Sequence, residues 1–370
     1  MKFYSNIKEG LYFDKHQNIN EELIKRINTF LKAEDFNNVY QTLEWLDASR
    51  EHDNGMQGVI ITGSINNKIV YFLPLQRLFL FTNLFLTYVN PIFSDYTEPF
   101  FSREIIPRNH EEYTLLLEES LKTFEKPKIL FLRNQRNQNY LKNLKNSFSQ
   151  VKYTNSYFIE TKKVKLSKST NKKLKYYSSR ILRDFKDYSF NNYNRVLLNT
   201  KSNKIDIEEI IKLKNKQYIR TKSKKKEISP NLWINLNSKE VKNPSLFISL
   251  ININKKISSG VICLLHNNII YYILPVYDFD YKKYSLGIHH LNNIINFAKK
   301  YKIFGIDLTI GDETYKQKFF TKKFAIYSGL FTNRNYYKYL FILIMFLYRL
   351  LNQKNLKFLL KFLKNKFIHN

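Results

Sequence analysis

Two short stretches hold residues whose types and spacing can do chemistry. The first is Tyr281–Gly287, YKKYSLG, set between an apolar run and a helical periodicity. A glycine at a strand-to-helix turn lets a ligand approach the backbone. The first N–H groups and the dipole of the following helix favour negative charge there. Lys282 and Lys283 add positive charge, so the turn is a cradle for an anion. The second stretch, Ile303–Lys316, carries a lone acid, Asp307, in an apolar run. It then empties into Gly311-Asp312-Glu313, with Tyr315 and Lys316 just beyond. Acids and a lysine gathered after a buried strand are costly unless paired or used.

The elements that must hold these residues follow from periodicity. Ile269–Tyr277 is rich in β-branched and aromatic residues and predicts a buried strand. Ile288, Leu291, Ile294, Ile295 and Ala298 recur at helical spacing, which predicts a helix opening just after Gly287. Ile303–Ile310 predicts the next strand. His289 and His290 fall in the first turn of the helix, where one of them is expected to face solvent. Neither has metal-ligand spacing to other residues.

The order SLG, helix, FGIDLTIGDETYK resembles the CelD/BcsL-like branch of the GNAT acyltransferases, named for its association with cellulose and exopolysaccharide biosynthesis. Asp307, Gly311, Asp312, Tyr315 and Lys316 carry the match. The family turn often reads S-P-G, whereas here it is Ser285-Leu286-Gly287, without the proline. Phe319 stands where tryptophan is frequent, and Ser94-Asp95-Tyr96 resembles a second family run. The resemblance implies transfer of an acyl group, most simply acetyl, from acyl-CoA to an amine or hydroxyl of a sugar, a polysaccharide precursor or a similar acceptor. Acetyl-CoA or another acyl-CoA would be the co-substrate, with no metal. The cofactor would lie on Tyr277, Lys282, Lys283, Tyr284, Ser285, Leu286, Gly287 and Ile288. Its acyl carbonyl would meet a backbone N–H where the Ile269–Tyr277 strand splays from its neighbour. Asp307 would be the general base, or else it caps the next turn. Glu313 and Lys316 would form an ion pair or meet the acceptor. Tyr315 would be a proton donor or a packed tyrosine. Asp95, Tyr96, Arg180 and Asp312 would face the acceptor, although the residues around Asp95 favour a turn residue over an acid facing the cleft.

Elsewhere the chain supplies scaffold. Glu21–Leu31 is an amphipathic helix with Asn20 as its N-cap. Val39–Leu46 reads as a helical turn whose Trp45 is a core residue. Val59–Ser64 and Ile69–Leu75 form a hairpin around Asn66-Asn67-Lys68, with Pro74 ending its second strand. Leu78–Val89 reads as a buried strand pair, Tyr113–Phe124 as a helix and Ile129–Leu132 as a short strand. Short polar runs around Val151–Leu166 mark a boundary. Asn171–Asp187 is a basic helix with Leu174, Tyr177, Ile181, Leu182 and Phe185 inside. Its arginines serve an anion or simply a solvated face. Asp206–Ile219 follows as a helix with Asp206 and Glu209 spaced as a capping box. A second hairpin, Leu246–Ile253 and Ile257–Leu265, turns at Asn254-Lys255-Lys256 and echoes the first.

The echo suggests two copies of one unit. The expected fold is therefore α/β with mixed (α+β) sheets: tandem GNAT-like folds in a FemABX-like arrangement, with C-terminal helices. The units are a GNAT-like domain at 1–155, a catalytic GNAT domain at 156–335 and a helical tail at 336–370. In the tail, Tyr339–Tyr348 is too short to span a bilayer, and Leu356–Phe367 is amphipathic and lysine-flanked. It docks on the domain or touches an anionic membrane peripherally.

The net charge of +30 in 370 residues suggests nucleic acid or an anionic surface. Lysines are spread along the whole chain, however, and Lys, Asn, Ile, Phe and Tyr are in excess together. That pattern reads as a solvated basic surface, with no specific nucleic-acid partner expected. The one cysteine, Cys263, excludes an internal disulfide and suits a reducing compartment, and no secretory signal is visible, so a cytoplasmic location is expected. Two rival readings stand beside the acyltransferase. One is a FemABX-type transferase using aminoacyl-tRNA. The other is a non-catalytic basic protein binding nucleic acid or anionic lipid.

Overall fold

The computed structural model describes residues 2–4, 8–16, 20–34, 38–42, 44–45, 48, 58–77, 85–88, 96, 98–124, 129–136, 148–221, 227–238 and 244–332. The tail at 336–370, Asp95 and most of the Leu78–Val89 stretch lie outside these residues.

The first part of the chain forms β1 (Lys2–Tyr4), β2 (Tyr12–His16), α1 (Glu21–Ala33), β3 (Gly58–Ile65), β4 (Lys68–Arg77), β5 (Phe85–Tyr88), β6 (Phe100–Phe101), α2 (His110–Leu121) and β7 (Ile129–Gln135). β8 (Phe148–Glu160) follows. The second part forms α3 (Lys168–Asp184), β9 (Tyr188–Asn194), α4 (Arg195–Leu198), α5 (Lys204–Arg220), α6 (Asn231–Ser238), β10 (Ser245–Ile253), β11 (Lys256–His266), β12 (Ile269–Tyr277), α7 (Leu286–Lys300) and β13 (Gly305–Ile310). β14 (Lys322–Thr332) is the last described strand.

All fourteen strands join one sheet in the order β1-β2-β3-β4-β5-β7-β14-β8-β13-β12-β11-β10-β9, with β6 beside β4. The repeat suggested by the hairpins is visible in this order. β3–β4 and β10–β11 are antiparallel hairpins, and β4–β5 and β11–β12 continue them. β5–β7 and β12–β13 are parallel pairs, each joined by a crossover that carries a helix, α2 or α7. The outer strands are exchanged at the centre. β14, from the end of the second copy, closes the first against β7, and β8 closes the second against β13. β8 and β14 pair with each other and fuse the halves.

Both hairpin turns use positive φ at two successive residues, Asn66 (49°) with Asn67 (63°) and Asn254 (53°) with Lys255 (61°). That twist suits two-residue hairpins. Several expectations need correction. Pro74 does not end its strand. It pairs opposite Ile60 inside β4, between the β6 and β5 contacts, where no other described strand pairs with it. The polar-looking Val151–Glu160 stretch lies in β8, a strand of 13 residues at the centre of the sheet, which runs through the expected boundary at residue 155. The cap of α5 is Asn203, whose side chain accepts from the Asp206 N–H, so Asp206 lies inside the helix. Leu182 on α3 points outward, 64% exposed.

The largest core cluster crosses the halves. Val39, Tyr40, Trp45, Ala48 and Tyr96 of the first copy pack with Ile207, Ile210, Trp233, Leu250 and Tyr271 of the second. Trp45 is fully buried beside Tyr40 and Trp233, as the core reading expects.

Candidate active site

The site is built where β12 and β13 part. They pair only through Ile269–Gly305, Ile270–Ile306 and Tyr271–Asp307, after which β12 runs on to Tyr277 without β13 beside it. Two irregularities open the gap. The β11–β12 register shifts at Ile273, and the β8–β13 register shifts between Asp307 and Ile310. Thr309, a β-branched residue, sits there at φ 58°, a costly conformation held by the Asp307 side chain, which accepts the Thr309 N–H at 2.8 Å. Beyond Tyr271 this edge of β12 has no ladder partner among the described residues, so its backbone groups are open to other partners.

At the far end of β12 a short 3-10 segment, Phe279–Tyr284, leads to Ser285 in the left-handed region and then directly into α7. The helix therefore opens one residue before Gly287. Ser285 makes no side-chain cap, and no acid occupies the first turn. The N–H groups of Leu286 and Gly287 have no backbone acceptor among the described residues. Gly287 is not required by its backbone angle, and a Cβ there would meet only Tyr277, at an ordinary 3.7 Å. The glycine is thus dispensable to the fold, and its missing side chain leaves the start of α7 open. Tyr277 stacks on Phe279, Tyr284 is buried with its hydroxyl donating to Asp184, and Ile288 packs on the core under α7. Lys282 and Lys283 are exposed on the rim.

Arg180 reaches this turn rather than the gap. Its guanidinium lies 5.3 Å from the Tyr284 ring centre and donates weakly to the Lys283 carbonyl at 3.5 Å. Helix α3 thus adds a cation to the cradle. Beneath the cradle, His289 and His290 are both buried, against the expectation that one faces solvent. His290 bridges Ser259 on β11 (Nδ1, 2.9 Å) and Ser249 on β10 (Nε2, 2.7 Å). His289 meets Tyr188 at 2.8 Å and Ser178 at 3.3 Å. Burial lowers the pKa of both, His290 to about 3, so each is a neutral ring pinning α7 in place.

Asp307 is 1% exposed at the floor of the gap. Besides the Thr309 N–H it accepts the Tyr96 hydroxyl at 2.8 Å and forms an ion pair with Arg136. Both partners come from the first half of the chain. Arg136 is held between the rings of Phe324 (4.2 Å) and Tyr96 (4.9 Å). Burial works against its charge, but the Asp307 carboxylate together with Tyr96 and Tyr271 outweighs this, and the guanidinium pKa is raised. Sequence reasoning missed Arg136; its only local signal is a cation ending an apolar strand. The capping alternative for Asp307 is seen directly in its bond to Thr309.

The residues after β13 form a separate knot. Asp312 accepts from Asn155 (2.6 Å), Tyr157 (2.7 Å) and Thr154 (3.1 Å), all on β8. Burial opposes its charge, yet these donors hold its carboxyl below the usual range. Lys316, 3% exposed, donates to the Ile310 carbonyl at 2.8 Å and pairs with Glu313 at 2.9 Å. Tyr315 packs against the core under α7, and burial, then the Glu313 charge, raises its pKa.

These features coincide with an independent match. Residues 181–317 match the acetyltransferase (GNAT) domain. The matched span runs from α3 through the cradle, the gap and Asp307 to the Lys316 knot. No curated protein matches the chain. Among solved structures, FemX superposes with a TM-score of 0.52 at 12% identity, covering 84% of this chain and 96% of that one. A conserved protein of unknown function from Bacteroides thetaiotaomicron superposes at 0.53 and 11% identity, covering 86% and 99%. Such identities speak for the fold alone. With the internal repeat, they make this a tandem GNAT-like fold of mixed α/β architecture, and the second copy carries a transferase domain. No described helix is long and apolar enough to cross a membrane.

Proposed function

We propose that the protein transfers an acyl group, most simply acetyl, from acyl-CoA to an amine or hydroxyl of a saccharide-like acceptor, as the CelD/BcsL-like resemblance implies. The observation that supports this best is the uncapped, acid-free start of α7 with its dispensable glycine, directly beyond a strand that has left its parallel neighbour. The pyrophosphate occupies the Ser285–Gly287 turn under Arg180, Lys282 and Lys283. The pantetheine arm runs along the unpaired edge of β12, with an N–H beyond Tyr271 receiving the thioester oxygen. Pro275, which has no N–H, is not that donor.

In the reaction the acceptor nitrogen or oxygen attacks the thioester carbon, its proton passes to a base, the C–S bond breaks and the thiolate takes a proton. Asp307 lies at the floor of the gap, but three donors already engage its carboxylate. That arrangement suits holding Tyr96 and Arg136 in place better than direct proton abstraction. In this reading the first copy lends the second copy its acceptor-side residues.

The test is calorimetric titration with CoA, together with thiol release from acetyl-CoA in the presence of amino sugars. Saturable CoA binding that weakens at least tenfold in Gly287→Val, with an unchanged melting temperature, supports the assignment. Equal CoA affinity in the folded variant overturns it.

A further inference from the structure

Helix α3 is basic, and only Arg180 at its end is used by the cradle. Farther along, α3 and α7 do not close on one another. They leave a groove of about 590 Å³, a volume within the usual range for small-molecule sites. Its walls are two facing stripes, Asn171, Lys175 and Ser178 on α3 and Asn292, Asn296 and Lys299 on α7. Each stripe is spaced i, i+4, i+7, so it lies along one helical face. Between packed helices such stripes are ordinarily apolar. Here only the floor is apolar, formed by Val164, Leu166 and Leu174. The Ser178–His289 contact closes the end nearest the cradle.

The chemistry of the lining selects a ligand. Amides and a hydroxyl offer donors and acceptors side by side, which matches the hydroxyls of a polyol. The two ammonium groups have no carboxylate partner among the described residues, and no acid lines the groove. An apolar floor receives the C–H face of a ring. We propose that this groove binds an anionic polyol, a hydroxyl-rich ring bearing phosphate or carboxylate, at a site separate from the acyl-CoA cradle. This proposal does not depend on the acyltransferase reading.

The full chain should be titrated with glucose 1-phosphate and with trigalacturonate at low salt, which separates a phosphorylated sugar from a uronate. Saturable binding is expected for at least one of them. It should weaken at least tenfold in Asn292→Leu/Asn296→Leu, which fills the groove at partly or fully exposed helical positions, and again in Lys299→Glu. Melting temperature checks that both variants fold, and CoA affinity should stay within twofold of the wild type. The proposal is overturned if neither probe saturates, or if binding is unchanged in both variants. It is equally overturned if adenosine 3′,5′-bisphosphate displaces the probe and CoA affinity falls with it, because the groove then belongs to the cofactor.

Discussion

The two halves share a strand plan but differ where their crossover helices begin. In the first copy α2 starts at a closed N-terminus. The Asn109 side chain accepts the Glu112 N–H at 3.0 Å, Glu112 accepts the Arg108 N–H at 2.8 Å, and Glu111 and Glu112 fill the first turn with negative charge. In the second copy α7 starts uncapped, without acids, on a Ser285-Leu286-Gly287 turn ringed by Arg180, Lys282 and Lys283. Capping and acids stabilise a helix start by satisfying its N–H groups and its dipole. The first copy uses those groups for its own stability, whereas the second leaves those of Leu286 and Gly287 without a backbone acceptor among the described residues, as the proposed acyl-CoA site requires. In the proposed function, one fold plan gives a structural copy and a working copy, and local sequence at a single helix start separates them.

The comparison breaks most severely at the tie between the halves. Arg136 and Tyr96 of the first copy meet Asp307 of the second across 171 and 211 residues of chain. Asp307→Asn leaves the largely buried Arg136 charge without its carboxylate. Losing one member of a buried pair costs about 3–5 kcal/mol. Urea unfolding should show that loss, and an Arg136→Met/Asp307→Asn double variant should recover part of it. A fall in thiol-release rate in the double variant, once its stability is recovered, would assign the pair a role beyond the fold.

The next test copies the closed start into the open one. Gly287→Glu places an acid where α2 carries Glu111. An acid at this position favours the helix dipole but repels and crowds a pyrophosphate. Stability should hold or rise by a few tenths of a kcal/mol, while CoA affinity falls about 100-fold, which is about 2.7 kcal/mol. If CoA still binds this variant as tightly as the wild type, the difference between the two helix starts is not functional.

How much of this was legible depended on distance along the chain. The strand–turn–helix unit was readable because strand, turn, glycine and helix follow one another within Ile269–Lys300. Both hairpins were readable because their turn residues, rich in Asn and Lys, separate β-branched runs. β8, β9 and β14 were not. Their Asn, Lys, Ser and Tyr residues resemble loops, and only the sheet around them makes them strands. The histidines misled for the same reason. Their serine and tyrosine partners lie 31 to 111 residues away, so nothing nearby marks them as buried. Arg136 had no local signal that it would meet Asp307.

A smaller effect is expected from His290, which anchors the open helix start to β10 and β11. Its folded pKa, about 3, lies below the unfolded value near 6.5, so between those values the unfolded chain binds the extra proton. Stability from this group is therefore complete above pH 6.5 and declines as pH falls toward 3, by up to about 1.4 kcal/mol per pH unit. His290→Gln should flatten the pH dependence of urea stability between pH 6.5 and 5. A slope equal to that of the wild type would remove His290 as its source.

The smallest effect should come from Glu313, and its smallness is informative. The Glu313 side chain is 55% exposed, although its partner Lys316 is almost fully buried. Exposed pairs contribute about 0–1 kcal/mol. Lys316 keeps its bond to the Ile310 carbonyl without the glutamate, so the knot after β13 survives. Glu313→Gln should thus lower stability by about 0.5 kcal/mol or less. If Glu313 only clips this turn, thiol release will also stay within twofold of the wild type. A tenfold loss of rate at unchanged stability and unchanged CoA affinity would place Glu313 at the acceptor, and the working copy would then extend from the cradle and the gap to the turn beyond β13.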